Sequence, residues 1–346
     1  MIIKPVLDMK LCNLFMCVAA VAALGSCASS DVIDDIQGSR IGFDTNVSKN
    51  SRALTNSNFN RFFVYGTYQL PTQAQPISVF TGDLVTKGDN GSWTYSGDRF
   101  WVPEGSYDFY AYSCENQAVN PNLSGMASMS NRALSINGFV ANESHQHDLL
   151  FAKVEKQTRQ PQADGQTPAP VALRFAHLLT RVKFTFKSAY PSGYTVTVSN
   201  PKLINFRDKG DYQGDNEQWA NVTRTKENVE LALALKGGSA DITAATASTD
   251  PVYLIPFLYQ QADVMLTFDV EVKKGNQNVL GRTITAHWQP AWQSGHSLNN
   301  EITVTGGSTG LGPIRFTASI VDDSGASSDG WNDEQGSLNG MWFEAQ

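Results

Sequence analysis

The chain has 346 residues, 41% of them hydrophobic and 17% charged, with a formal net charge of −7 at neutral pH. That length leaves room for roughly two domains, each with a sizeable core beneath a polar, sparsely charged surface. An acidic chain without a Lys/Arg cluster lacks the phosphate-neutralising charge that nucleic-acid binding requires, so nucleic acid is excluded as a partner.

Lys4 and Lys10 precede an apolar run over residues 11–24. A membrane-spanning helix needs about 20 apolar residues, so this run reads as the apolar region of a signal peptide, residues 1–26. Leu24-Gly25-Ser26-Cys27 follows and resembles the lipobox of bacterial lipoproteins, with the Cys27 thiol as lipid acceptor. The plainer alternative is a secretory signal whose cysteine is incidental. Two or three acyl chains, at about 0.8 kcal/mol per buried CH₂, anchor a protein stably without a transmembrane helix. The acidic run at Asp31, Asp34 and Asp35 resembles surface-export signals of lipoproteins from gut and oral Gram-negative bacteria. Residues 27–40 are therefore expected to form an acidic lipidated tether, and the chain to be an outer-membrane lipoprotein precursor. Cys12 and Cys17 lie in the leader and Cys114 stands alone, so no disulfide framework is expected and apolar burial must hold the fold.

Period-2 alternation begins with Ile41, Phe43, Thr45 and Val47 as the inward set. It recurs at 181–187, 264–272 and 314–320, and 62–69, 106–113, 194–199, 252–258 and 301–305 are further strand candidates. Such stripes mark strands with one face on a core. No segment sustains a 3.6 period with helix caps, so the expected class is all-β sandwich. The Pro/Gln-rich stretch 157–170 is the expected connection between domains. It divides the chain into an N-terminal β-sandwich domain, 41–170, and a C-terminal one, 171–305. A glycine-rich hinge and tail, 306–346, follow.

Several segments together resemble the fimbrillin family, lipoprotein-derived pilins of that bacterial group. They are Phe62-Phe63-Val64-Tyr65-Gly66, Phe100-Trp101-Val102-Pro103-Glu104-Gly105 leading into 107–112, Asp148-Leu149-Leu150-Phe151-Ala152, 173–182, and Tyr253-Leu254-Ile255-Pro256. The resemblance implies two tandem transthyretin-like β-sandwich domains and assembly into a fimbrium by donor-strand exchange. It further implies other pilin subunits and an arginine-specific processing protease as partners, with a host glycan or protein receptor beyond them. Carried onto this chain, Ile41–Val47 is the leaving strand. Arg52 is the processing site, with Arg40 as second candidate. Four inward side chains on such a strand are worth on the order of 6–8 kcal/mol. Ile314, Phe316, Ala318 and Ile320 form the donor-strand candidate. The alternatives are that they belong to a permanent strand of the second domain, or that Met341-Trp342-Phe343 supplies the apolar plug.

No catalytic motif stands out, and no cofactor or enzymatic activity is expected. His145 and His147 have metal-compatible spacing but no evident third ligand. His177, in an apolar stretch, reads as a core histidine. The acidic loops at Asp208, Asp211, Asp215 and Glu217, and at Asp322, Asp323, Asp329 and Asp333, match no EF-hand spacing. The alternative function is a surface glycan-binding lipoprotein with aromatic platforms drawn from Trp93, Trp101, Trp219, Trp288, Trp292, Trp331 and Trp342. Trp101 suits a core instead.

Overall fold

The computed structural model describes residues 40–47, 59–114, 126–130, 132–159, 168–235, 237–261, 263–306, 315–321, 332–333 and 342–345. Every regular element among them is a β-strand. The first half contributes β1 (Phe43–Val47), β2 (Arg61–Gln69), β3 (Ile77–Lys87), β4 (Trp93–Tyr95), β5 (Ser106–Cys114), β6 (Ala127–Ser130), β7 (Ala133–Val140), β8 (Leu149–Gln157) and β9 (Val171–His177). Then come β10 (Thr180–Ser188), β11 (Tyr194–Ile204), β12 (Lys209–Gln213), β13 (Gln218–Thr223), β14 (Glu230–Ala232), β15 (Ser239–Asp241), β16 (Ala247–Ser248) and β17 (Val252–Leu254). The last are β18 (Val264–Lys274), β19 (Gln277–Trp288), β20 (His296–Thr305), β21 (Arg315–Val321), β22 (Asn332–Asp333) and β23 (Trp342–Ala345).

The first half is organised around a 7-stranded sheet in the order β1-β9-β8-β5-β2-β3-β4. β5 lies at its centre and is buried on both faces. Tyr107, Phe109 and Ala111 enter one core with Phe62, Val64, Leu173 and Phe175, while Tyr110, Tyr112 and Cys114 enter a second. A strand covered on both sides has no polar face to show, so its sequence runs aromatic without clean alternation. The two ends of the sheet curl towards each other until β1 and β4 touch through the Phe43 and Tyr95 rings, 5.9 Å apart.

The other face of this sheet is covered by a 4-stranded sheet, β13-β12-β7-β6. Half of that cover comes from late in the chain: the β12–β13 hairpin leaves β11 and pairs antiparallel with β7, Gly210 opposite Phe139 and Tyr212 opposite Ile136. Tyr212 then packs edge-on to Phe151, with centroids 5.1 Å apart. The remaining strands form two 6-stranded sheets, one built on β16-β10-β20-β21 and the other on β14-β11-β18-β19-β23. Their shared core includes Phe184, Phe186, Val196, Leu266, Phe268 and Trp288. In β18 the alternation is unbroken, from Val264 inward to Val272.

Three expectations change. The stretch 157–170 joins β8 to β9, and these pair in one sheet with Phe151 opposite Ala176. The strands on either side of it thus share one sheet, and the change of sheet falls at Leu178–Leu179, later than the expected boundary. The strand expected over 252–258 ends at Leu254, shortly before Pro256, which has no N–H to offer a ladder. β11 runs past its expected end at 199 to Ile204, because a bulge between Ser199 and Lys202 absorbs Pro201.

Because β12 and β13 complete the cover of the first half, a chain ending at Leu178 takes Tyr212 away from Phe151 and strips β7 of its β12 partner. Such a fragment is expected to lack dispersed amide resonances in a ¹⁵N correlation spectrum, where the full chain shows them.

Candidate functional site

The segment Arg40–Val47 and the slot that holds it form the candidate site. β1 runs parallel to β9, with Phe43 opposite Val171, Thr45 opposite Leu173 and Val47 opposite Phe175. Alternation sends Ile41 and Phe43 inward, where both are buried, and leaves Asp44 exposed. Thr45 is half-buried. The Phe43 ring sits among Phe80 at 5.4 Å, Phe109 at 5.8 Å, Phe62 at 5.9 Å and Tyr95 at 5.9 Å, all but Phe109 on β2 to β4. Gly66 makes this crowding feasible: a Cβ there would stand 2.9 Å from the Phe109 ring and 3.1 Å from that of Phe80.

Backbone groups hold the same segment from both sides. The Val171 N–H donates to the Gly42 carbonyl at 2.8 Å, and the Ile41 N–H donates to the Arg99 carbonyl at 2.8 Å. The Tyr95 hydroxyl donates to the Ile41 carbonyl at 2.7 Å. Burial raises the Tyr95 pKa, the Arg40 charge opposing it only in part, so the phenol keeps the proton it donates. Arg40 bridges to Phe100, pairs through Nε with Asp98 at 2.9 Å, and lies 4.8 Å over the Tyr95 ring. The ion pair is exposed and adds at most about 1 kcal/mol, so this is a latch rather than an anchor. Tyr95, Asp98 and Arg99 were not singled out in the sequence. The readable signal was Trp93 and Tyr95 two residues apart before a Ser-Gly-Asp turn.

The other expected positions are distributed as follows. Cys27, Arg52 and Ile314 lie outside the described residues, and Val47 is described in its backbone alone. Phe316, Ala318 and Ile320 fall in β21, opposite Val304, Ile302 and Asn300 of β20. Trp342 and Phe343 fall in β23, opposite His287 and Ala286 of β19. Both tail segments thus occupy edge positions in the sheets of the second half.

Residues weighed for other chemistry serve the fold. His177 is buried, and its Nδ1 lies 2.8 Å from the buried Asp148 carboxylate, which removes Asp148 from any site with His145 and His147. Burial first, and the neighbouring His145 second, lower the pKa of His147. Asp208 is buried and accepts from the Thr225 N–H at 2.7 Å and hydroxyl at 2.6 Å. Asp211 accepts from the Gly138 N–H at 2.6 Å, and Glu217 pairs with Lys153 at 3.1 Å. The acids of that loop are thus spent on the β12–β13 hairpin. Among the described residues no three His, Cys, Asp or Glu side chains converge to hold a metal. Trp101, Trp288 and Trp292 are buried, while Trp93 and Trp219 are half-buried against cores. Burial corrects the platform expectation for Trp101, Trp288 and Trp292, whereas Trp93 and Trp219 keep part of their rings exposed. Trp331 lies outside the described residues.

A family model described as fimbrillin-like matches residues 46–322. The chain is similar to a fimbrial protein from Bacteroides vulgatus, with 16% identity over 82% of this chain and 99% of that one, at a TM-score of 0.61. It is also similar to a Bacteroides ovatus protein assigned to cell adhesion, at 16% identity over 82% and 98% with a TM-score of 0.47. The fimbrial anchor protein Mfa2 from Porphyromonas gingivalis matches at 9% identity over 82% and 96%, with a TM-score of 0.34. No curated protein matches the chain.

Phe43→Ala removes a ring packed among four others and is expected to cost about 3–5 kcal/mol in urea unfolding. Arg40→Ala should change stability by less than about 1 kcal/mol. Amide hydrogen exchange should nevertheless be faster at the start of β1.

Proposed function

The chain belongs to the fimbrillin-like family, and on that footing we propose that it is a fimbrial subunit or adhesin that assembles by trading β1 for a strand of a neighbouring subunit. The observation that carries this reading is the slot itself. With residues 41–47 removed, the outer edge of β9 loses its ladder partner, and the Phe62, Phe80, Tyr95 and Phe109 rings lose the side chain between them. An extended peptide with alternate apolar side chains supplies both needs at once.

Magnitudes explain why assembly would wait for a cut. Burial of Ile41 and Phe43 is worth about 3–6 kcal/mol. That is less than four inward residues would give, since Thr45 is only half-buried. Ordering the strand costs a comparable amount. A resident strand and an incoming one are therefore near-equals, and the resident wins by tethering, at an effective concentration of about mM. Cleavage after Arg52 severs β1 from Phe59 and removes that advantage. Cleavage at Arg40 would leave β1 joined to β2, and Arg40 is also pinned by its bridge to Phe100. Residues 314–321 are the proposed donor, leaving β20 of their own chain. The two halves are read as two sandwich units, transthyretin-like in kind, with the limit at Leu178–Leu179. Before cleavage the precursor is held at the outer membrane by lipid on Cys27, exposed at the cell surface. The role is structural rather than catalytic.

Limited trypsin treatment of the folded precursor is expected to cut first near Arg52 and to yield SDS-resistant ladders. Arg52→Gln should melt like the parent protein yet give no ladder. Parent protein that is clipped at Arg52 and stays monomeric would sink the proposal.

A further inference from the structure

We propose that the cleft between the outer edge of β13 and the segments 256–258 and 292–294 binds a short neutral oligosaccharide. Its volume is about 530 Å³, within the range of about 300–1,000 Å³ typical of small-ligand sites. One wall is formed by the consecutive residues Glu217–Val222, so the cleft follows the strand's edge rather than one face. Across from it stands Leu258, which at 60% is the most exposed large hydrophobic residue described. Trp219 is half-buried on the near side. Its indole N–H donates to the Leu178 carbonyl at 2.9 Å, and its ring is backed by Phe139 and Tyr212, so its position is fixed. Trp292 also lines the cleft, and its buried indole N–H finds no acceptor among the described residues.

The lining selects the ligand. A pyranose ring presents an apolar C–H face and a circle of hydroxyls, each both donor and acceptor. Trp219 and Leu258 suit the first, and the exposed amides of Gln218 and Gln293, which also donate and accept, suit the second. Among the described lining residues only Glu217 is charged, and Lys153 counters it at 3.1 Å. No cation lines the cleft to receive a phosphate or nucleotide, Arg207 being held on the Val222 carbonyl and Lys153 on Glu217. A peptide strand would find no regular edge either. Glu217 and Asn221 both have positive φ, 57° and 50°, and the Val222 carbonyl already accepts from Arg207 at 2.9 Å. A second depression of about 380 Å³ shares Glu217 and Ser294 with the first. The combined groove suits several linked rings better than one.

The test uses the full chain and saturation-transfer NMR. The probes are maltotriose, cellotriose and mannotriose, with trigalacturonate and an uncharged strand-forming hexapeptide as competing classes. At least one neutral trisaccharide is expected to receive saturation and shift tryptophan emission. Gln218→Ala combined with Gln293→Ala, both at exposed positions, should weaken binding about tenfold without changing the melting temperature. Trp219→Phe, which keeps a ring in the packing, should weaken it as well. Absence of neutral-saccharide binding at millimolar concentration would overturn the proposal. So would preference for the uronate or the hexapeptide, or equal binding by the double variant.

Discussion

Phe43 stands where a curled sheet closes on itself. The ring reaches from the first strand of the 7-stranded sheet to aromatic side chains on β2, β3, β4 and β5. Without it two liabilities open together: an unpaired backbone edge along β9 and an apolar hollow behind that edge. An exposed edge with an apolar face recruits another strand. The requirement is generic, because backbone groups accept any extended partner and the hollow asks only for an apolar side chain at alternate positions. A position essential to the fold but undemanding about its occupant is what exchange between subunits requires.

The rest of the molecule holds that position steady. β5 cannot follow β1 out of place, since Tyr110 and Tyr112 on its far face are packed in the second core. That core is completed by Tyr212 on the β12–β13 hairpin and by Tyr253 and Ile255 further on. The late part of the chain thus braces the early part from behind, and the walls of the slot are held by contacts that do not involve β1. The latch at Arg40, Asp98 and Tyr95 acts at the N-terminal end of β1, opposite the end that a cut after Arg52 would free. In the proposed exchange it would bear on the rate of release more than on stability.

Strands covered on one side were legible from alternation alone. Val264 to Val272 in β18 reads as a strand because one face meets the core and the other is partly open to water, and Val182 to Phe186 in β10 alternates likewise although Arg181 and Thr185 on its polar face are buried. The inward pair Ile41 and Phe43 was legible for the same reason. β5 carried no such stripe, being covered on both faces, although 106–113 was readable as a strand candidate. The hairpin over 209–223 was read as an acidic loop. Nothing in Asp208, Asp211, Asp215 and Glu217 says locally that their carboxylates will meet backbone N–H groups, a threonine and a lysine. Its pairing with β7, far back in the chain, is a long-range fact that no local pattern encodes. The slot was therefore half visible: its resident strand could be read, whereas the Tyr95 and Phe80 walls could not.

Joining β1 covalently to β9 tests the central claim most directly. Asp44 and Ala172 are register neighbours at exposed positions, so Asp44→Cys with Ala172→Cys links the strands without entering the core. Oxidised protein cut at Arg52 is predicted to remain monomeric, and reduction of the same sample to release ladders. Ladders of equal extent from oxidised and reduced protein would contradict the account, because polymerisation would then proceed with β1 still in its slot.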